Sequence, residues 1–324
     1  MAAWLLLGML AAADTSAGDR LYAAGRFPDA ARVYRALLRD SPRDVNLLVR
    51  LGTTEYQMGS FAGAEAGFRE AIAIAPNLEP AQVGLGVSLL SLGRSREAIP
   101  FLEKAAKSTP SDSMALRALG HAYQERNDLF RGEPILRSLV AADPKDAESW
   151  YYLGALLYDN NYYLPAAEAL RASLALQPAN DRAEILAAGA LAKLGRAREA
   201  GELFGALILR ASTAASPELW LGYAEFLFEN GEAKPSLQAI DRANRLSPNS
   251  AKVLFWRSRI AMALGDLERA EADARKAIQI APELPNARNL LMKICRARGF
   301  ARAADEQAAW LAAHETGKAN SGAR

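Results

Sequence analysis

Few residues in this 324-residue chain can carry acid–base, nucleophilic or metal chemistry. There are two histidines, His121 and His314, and one cysteine, Cys295. A nucleophile–histidine–acid triad would have to use one of those two imidazoles, and a zinc ribbon or a disulfide framework lacks ligands altogether. His314 precedes Glu315, but sequence neighbours on a helix do not face each other, so the pair reads as an exposed helix end. Cys295 sits at an apolar packing place and reads as an inert buried thiol. Gly84-Leu85-Gly86 supplies two glycines of a dinucleotide-binding pattern, without the third and without a preceding strand. No phosphate-binding Gly-Lys-Ser/Thr occurs. What remains is Arg117 with His121, spaced to meet a carboxylate or a hydrogen-bonding partner. There is also an acidic group, Glu218, Glu225 and Glu229, followed by Lys252 and Arg259. That group is either an ion-pair network of little net worth or a selector for a charged partner. The expectation is no catalysis, no cofactor and no metal.

The elements that position these residues are helical. Apolar residues make up 51% and charged residues 23%, enough to bury a core. The formal charge of +2 lacks the basic surplus of a nucleic-acid binder. Prolines fall at Pro42, Pro76, Pro110, Pro144 and Pro178, a constant step of about 34 residues, within the range of helical repeat units. The same step separates Pro248 from Pro282. The step from Pro178 to Pro248 is two periods plus two residues, which fit in Ser212–Ser216. Gly25, Gly59, Gly93, Asn127, Asn161, Gly195, Gly231, Gly265 and Gly299 keep the same period. Only Gly and Asn occur there, the residues that tolerate the left-handed backbone closing a helix. Five residues later comes a small residue: Ala30, Ala64, Ala98, Gly132, Ala166, Ala200, Ser236, Ala270 and Ala304. A side chain that small admits close helix contact. Each unit reads as helix, Gly/Asn turn, helix, proline. Asp44, Asn77, Asp112, Asp146, Asn180, Asn249 and Ser250 stand as helix starters after the prolines. No segment shows the two-residue alternation of a strand.

With Trp150, Leu153-Gly154, Ala166, Leu170 and Pro178 in one unit, and Leu51-Gly52, Ala64, Phe68, Ala71 and Pro76 in another, the chain resembles the tetratricopeptide repeat family. Leu119-Gly120, Tyr123 and Pro144, then Trp220, Ala224, Ala243 and Pro248, continue the likeness. The resemblance implies an all-α superhelical solenoid of antiparallel helix pairs over residues 14–314, in eight units plus a degenerate ninth. It implies a binding groove lined by the first helix of each pair. Some family members grip a chaperone tail with Lys and Asn at places 5 and 9 of one unit. No unit here has that pair, so such a clamp is not expected.

Counting units from 45, 79, 113, 147, 181, 217, 251 and 285, places 4, 7, 8 and 11 carry the packing residues. Places 2, 5, 9 and 12 share another face at helical spacing. From that stripe the groove candidates are Val83, Val87, Leu90, Arg117, His121, Tyr151, Tyr158, Ile185, Leu221, Glu225, Phe228, Phe255, Arg259 and Met262. The stripe is too apolar for a merely solvated face. Residue by residue, each candidate either faces a partner or packs on the next helix. Aromatic anchors with scattered charges suit an extended peptide or an amphipathic helix.

The two ends differ from the array. Residues 2–13 carry no charge and end in Ala11-Ala12-Ala13, the pattern of a secretory signal with a small-residue cleavage site. The basic n-region is missing, and an apolar first helix or a misplaced start codon are the other readings. Twelve apolar residues are too few to span a bilayer, which takes about 20. No cysteine lies nearby, so no lipid anchor is expected. Residues 315–324 are polar and read as a disordered tail. The sequence therefore leads to an exported, periplasmic or secreted, non-catalytic protein-binding scaffold, with a cytoplasmic location as the alternative. The alanine- and arginine-rich repeat style points to a bacterium. The alternative function is an accessory subunit of a cell-envelope polysaccharide or glycosylation machine, with Tyr151, Tyr158, Phe228 and Phe255 stacking on sugar.

Overall fold

The computed structural model describes residues 15–110, 112–211 and 216–321, with side chains at 211, 285 and 314–321 left out. The signal-like residues 1–13, the loop 212–215, residues 322–324 and the His314 side chain lie outside the described residues. The described residues form α-helices joined by short turns, with no strand among them. Two compact units divide after Pro178. The first holds α1 (15–23), α2 (Phe27–Asp40), α3 (Val45–Gln57), α4 (Phe61–Ile74), α5 (Glu79–Ser91), α6 (Ser95–Ser108), α7 (Ser113–Glu125), α8 (Leu129–Ala142), α9 (Ala147–Asp159) and α10 (Tyr163–Leu176). The second holds α11 (Asp181–Lys193), α12 (Ala197–Ala211), α13 (Pro217–Glu229), α14 (Ala233–Leu246), α15 (Ala251–Ala263), α16 (Leu267–Ile280), α17 (Pro285–Ala297) and α18 (Ala301–Ser321). α18 extends to Ser321, into the polar tail. The odd-numbered helices from α3 to α17 begin at the unit starts counted from the prolines.

The turn chemistry follows the residue types. All nine Gly/Asn positions have positive φ, from Asn127 at 52° to Gly265 at 85°. At the end of α3 the Ser60 N–H donates to Glu55 O (2.9 Å) and the Gly59 N–H to Tyr56 O (2.9 Å). Those two bonds satisfy carbonyls that a helix end otherwise leaves open. The next helix can then start two residues later. On the proline side, Asp44 accepts from the Asn46 and Leu47 N–H groups, Asp146 from Ser149, Asn180 from Ala183 and Ser250 from Val253. Two expected starters fail. The residue preceding α5 is Leu78, with no side-chain cap, and Ser250 rather than Asn249 caps α15. Pro80 in the first turn of α5 makes a cap less necessary there, because its missing N–H is one that would go unpaired.

Within a pair, a glycine on the first helix meets a large side chain on the second, at the same offset each time. Gly52 faces Phe68, Gly86 faces Leu102, Gly120 faces Leu136 and Gly154 faces Leu170. A Cβ at Gly86 would stand 2.5 Å from Leu102 Cδ2, and one at Gly120 would stand 2.6 Å from Leu136 Cδ2. Gly84-Leu85-Gly86 is therefore a packing slot. Both glycines admit a side chain of the neighbouring helix, and Leu85 is fully buried. This close seating leaves the first helix of each pair with its outer stripe to spare. Cys295 is fully buried among Leu291, Ile294 and Ala304, and burial raises its thiol pKa, which disfavours the reactive thiolate.

Candidate functional site

In the first unit the first helices of successive pairs lie side by side, α3 against α5, α5 against α7 and α7 against α9. Three adjoining cavities run along them. One of about 290 Å³ is lined by Asp19, Tyr22, Tyr34, Val49, Arg50 and Thr53. The next, about 340 Å³, shares Val49 and Thr53 and adds Tyr56, Phe68, Val83, Gly84, Val87 and Met114. The third, about 330 Å³, shares Tyr56, Val87 and Met114 and adds Leu90, Arg117, His121, Glu148 and Tyr152. The shared side chains make one continuous groove. Its middle is mostly apolar: valines, Met114 and the faces of Tyr56 and Phe68. Two carboxylates also line it and are engaged locally, Glu79 accepting from the Thr109 hydroxyl and Asp112 from the Met114 N–H at the start of α7.

Each charged group there is held in place. Arg117 donates to Glu148 (2.8 Å), and its Nε lies 3.2 Å from Asp146, though not in hydrogen-bond geometry. Burial opposes the charge on Arg117, but Glu148 and Asp146 more than offset that and raise its pKa. It thus straps α7 to the start of α9, where Asp146 caps the helix. His121 stacks on Tyr152, ring centroids 4.3 Å apart and planes 15° from parallel, and its Nε2 is 3.6 Å from Glu125. At the first end, Tyr34 donates to Asp19 (2.6 Å), which also pairs with Arg50. Burial and Asp19 push the Tyr34 hydroxyl up to about 12.

The second unit is different. There α13, α15 and α17 border a cavity of about 730 Å³ lined by Glu225, Lys252, Phe255, Trp256, Arg259, Leu284, Asn286, Asn289, Leu290 and Lys293. The Arg259 guanidinium lies over Trp256 (4.6 Å) and Phe228 (5.3 Å). Burial raises the Glu225 carboxyl pKa, against the opposing pull of Lys252, Lys193 and Arg259. The acidic and basic residues of this region do not form the ion-pair network considered above. Glu229 pairs with Lys193 instead, and among the described residues neither Lys252 nor Arg259 has a carboxylate at ion-pair distance.

Of the stripe residues, Val87, Arg117 and His121 line the first-unit groove, and Glu225, Phe255 and Arg259 line the second-unit cavity. Val83, Leu90 and Leu221 are 5%, 6% and 7% exposed, so they are packing residues; Val83 and Leu90 form the groove floor. Ile185, Met262, Phe228 and Tyr158 pack against the buried clusters that hold Phe204, Leu291, Ile240 and Leu153, respectively, each half-buried. Tyr151 is half-buried with its ring 5.4 Å from that of Tyr152. These five line none of the four cavities. Sequence reasoning missed Val49, Thr53 and Tyr56 at one end and Asn286, Asn289 and Lys293 at the other. The signal was present, since all six stand at places 5, 9 and 12 or 2, 5 and 9 of the same count. Tyr152 and Trp256, at place 6, carried no such signal. Among the described residues no cluster of His, Cys, Asp and Glu could hold a metal ion, and no helix is long and apolar enough to cross a membrane.

The geometry has counterparts in known proteins. Family models described as tetratricopeptide repeat match residues 15–79, 80–112 and 251–284, and one described as anaphase-promoting complex, cyclosome, subunit 3 matches residues 121–207. Protein O-mannosyl-transferase Tmtc3 of Drosophila melanogaster is 28% identical over 151 residues, covering 46% of this chain and 16% of that protein. Cellulose synthase operon protein C of Escherichia coli is 35% identical over 103 residues, covering 31% of this chain and 8% of its own length. The chain thus spans less than a fifth of either relative. Among solved structures, a tetratricopeptide repeat protein from Parabacteroides merdae superposes with a TM-score of 0.64 at 20% identity, over 77% of this chain and 98% of that one. The APC/C hetero-tetramer Cut9-Hcn1 gives 0.63 at 15% identity, over 86% and 54%. Helix pairs of constant period, closed by left-handed Gly or Asn and matched by these models, make residues 15–112 and 251–284 tetratricopeptide repeats, and the chain shares the fold of the solved tetratricopeptide repeat protein.

Proposed function

We propose that this protein is a non-catalytic scaffold that holds a peptide segment or amphipathic helix of another protein in the groove of its first unit. The supporting observation is the continuity of three cavities along α1 to α9, mostly apolar in the middle, with arginine and carboxylate side chains at both ends. An apolar groove of this kind takes the apolar face of a helix or alternate side chains of an extended strand, while polar ends fix register. Among the described residues, Cys295 is buried and His121 is stacked on Tyr152. The array would work as an exported protein of a bacterial envelope, with residues 1–13 removed. Edman sequencing of the mature chain tests that part, and a chain still starting at Met1 removes it.

The second reading is an accessory subunit of an envelope polysaccharide or glycosylation machine. It is favoured by the partial likeness to cellulose synthase operon protein C and to an O-mannosyl-transferase. Screening the purified chain against a peptide array and a glycan array separates the two. Peptide binding that disappears in Val87→Asp supports the scaffold. Glycan retention without peptide binding, or peptide binding indifferent to Val87→Asp, sinks it.

A further inference from the structure

The second-unit cavity is unlike the first-unit groove in charge. Positions one repeat apart on α15 and α17 face it as two matched rows: Lys252 with Asn286, Phe255 with Asn289, Arg259 with Lys293. Each row follows i, i+3, i+7 spacing, so each lies on one helix face. Three cations thus face a single carboxylate, Glu225. Among the described residues, Lys252, Arg259 and Lys293 have no carboxylate at ion-pair distance. Some other cations of the second unit are paired, Lys193 with Glu229, Arg257 with Asp273 and Arg298 with Glu271, while others are not, Arg242 lying over Trp220 and Lys276 donating to the Pro248 carbonyl; what sets Lys252, Arg259 and Lys293 apart is that all three face one cavity. Arg259 instead lies over the Trp256 and Phe228 rings, which places its guanidinium without neutralising it.

We propose that this cavity recognises an extended acidic peptide segment, whose side-chain carboxylates stand three residues apart and meet Lys252 and Lys293 on opposite walls. The proposal rests on the peptide-binding reading above and names the partner's chemistry. The spacing comes from geometry. Seven residues of helix separate the Lys252 level from the Arg259–Lys293 level, about 10 Å along the axis. An extended chain advances about 3.3 Å per residue, so about 10 Å is three residues. Successive side chains point to opposite sides, so residues i and i+3 face opposite walls, one toward α15 and the other toward α17. A single terminal carboxylate reaches only one of the two levels. The Asn286 and Asn289 amides lie between them and can both donate to and accept from a peptide backbone. Glu225, on the α13 side, turns acidic groups toward the α15–α17 valley.

The test is fluorescence anisotropy of the full chain with labelled, acetylated and amidated peptides. The acidic probe is GSDAGESG, and the neutral probe GSNAGQSG. The acidic probe should bind more tightly than the neutral one, and more weakly as salt rises. Lys252→Glu with Lys293→Glu should lower its affinity about tenfold or more, as two exposed charge pairs warrant. Both lysines are exposed, so circular dichroism should show an unchanged fold. Lys252→Gln with Lys293→Gln, which adds no negative charge, should show the same loss in weaker form. Equal binding of the two probes, or an unaffected charge-reversal variant, overturns the proposal. Preference for the neutral sequence with a free C-terminus over the amidated acidic probe reassigns the cavity to a terminal carboxylate and also overturns it. Should acidic probes fail while apolar peptides bind and are lost in Val87→Asp, only this charge assignment falls. Should no peptide bind at either place, the scaffold reading falls with it.

Discussion

Replacing Gly84 by alanine tests the packing that shapes the first-unit groove. Gly84 lines the central cavity on α5, and the ring of Phe68 from α4 fills the space where its Cβ would go. That Cβ would stand 2.5 Å from Phe68 Cε1 and 2.8 Å from Cε2, and closer still to Cζ. The ring cannot retreat, because Gly52 of α3 closes the other side, where a Cβ would lie 3.0 Å from Cε1, and Phe68 is 2% exposed. Overpacking of this kind costs about 1–3 kcal/mol, and three ring atoms inside contact distance put Gly84→Ala toward the upper end. Alanine gains about 1 kcal/mol over glycine within a helix, leaving a net loss of about 1–2 kcal/mol. For a cooperative body of this size that lowers Tm by roughly 2–8 °C. The sign should reverse once the ring is gone. In a Phe68→Leu background the clash disappears and the helix gain remains, so Gly84→Ala should then stabilise by up to about 1 kcal/mol. The assay is urea and thermal denaturation of the four chains of the double-mutant cycle, followed by circular dichroism. A coupling of about 2 kcal/mol is expected, within the range for residues in direct contact. A stabilised Gly84→Ala single variant, or the same sign in both backgrounds, refutes the ring-in-a-slot argument.

Other substitutions probe other layers. Gly59→Ala, at φ 74° with no atom near the added Cβ, should cost about 1–2 kcal/mol through the backbone alone, and Gly59→Asn less, by chemical denaturation. Arg257 grips Asp273 at 2.7 and 2.5 Å, and Asp273 is buried; Arg257→Met should destabilise by about 3 kcal/mol, whereas Arg257→Met with Asp273→Leu should recover most of it. Glu225 gives a pH signature. Burial raises its folded pKa above the unfolded value, so its contribution favours folding in acid and is lost as pH rises through the folded pKa. Glu225→Gln should therefore raise the second unit's melting temperature at neutral pH and match the parent well below pH 4.5, and an equal shift at both pH values would show that desolvation is not the cause. Tyr158→Ala, which removes a half-buried ring packed on the cluster around Leu153 and against Tyr163, should lower the first unit's Tm while leaving groove peptide binding intact, in a paired melting and anisotropy measurement.

The sequence alone determined the period, the nine hairpins and their helix starts, because these rest on local rules. A left-handed turn admits Gly or Asn, a proline ends a helix, and a cap needs a short polar side chain. Gly25, Asn127 and Asn161 could be placed at bends without knowing any neighbour. It also pointed to one face of each first helix, where counting places Val87, Arg117, His121, Phe255 and Arg259, residues that line cavities in the structure. It did not decide which of those side chains stay open. Val83 and Leu90 share the stripe with Val87, yet they lie under the next pair, because the width of the stripe that remains depends on how closely neighbouring helices seat. That seating is set by glycines such as Gly84 and Gly86 accepting Phe68 and Leu102 from other helices. Charge pairing was likewise settled only in three dimensions. Lys193 takes Glu229, and Lys252, Arg259 and Lys293 are left facing one cavity, because pairing depends on which side chains reach each other across helices and not on their order along the chain.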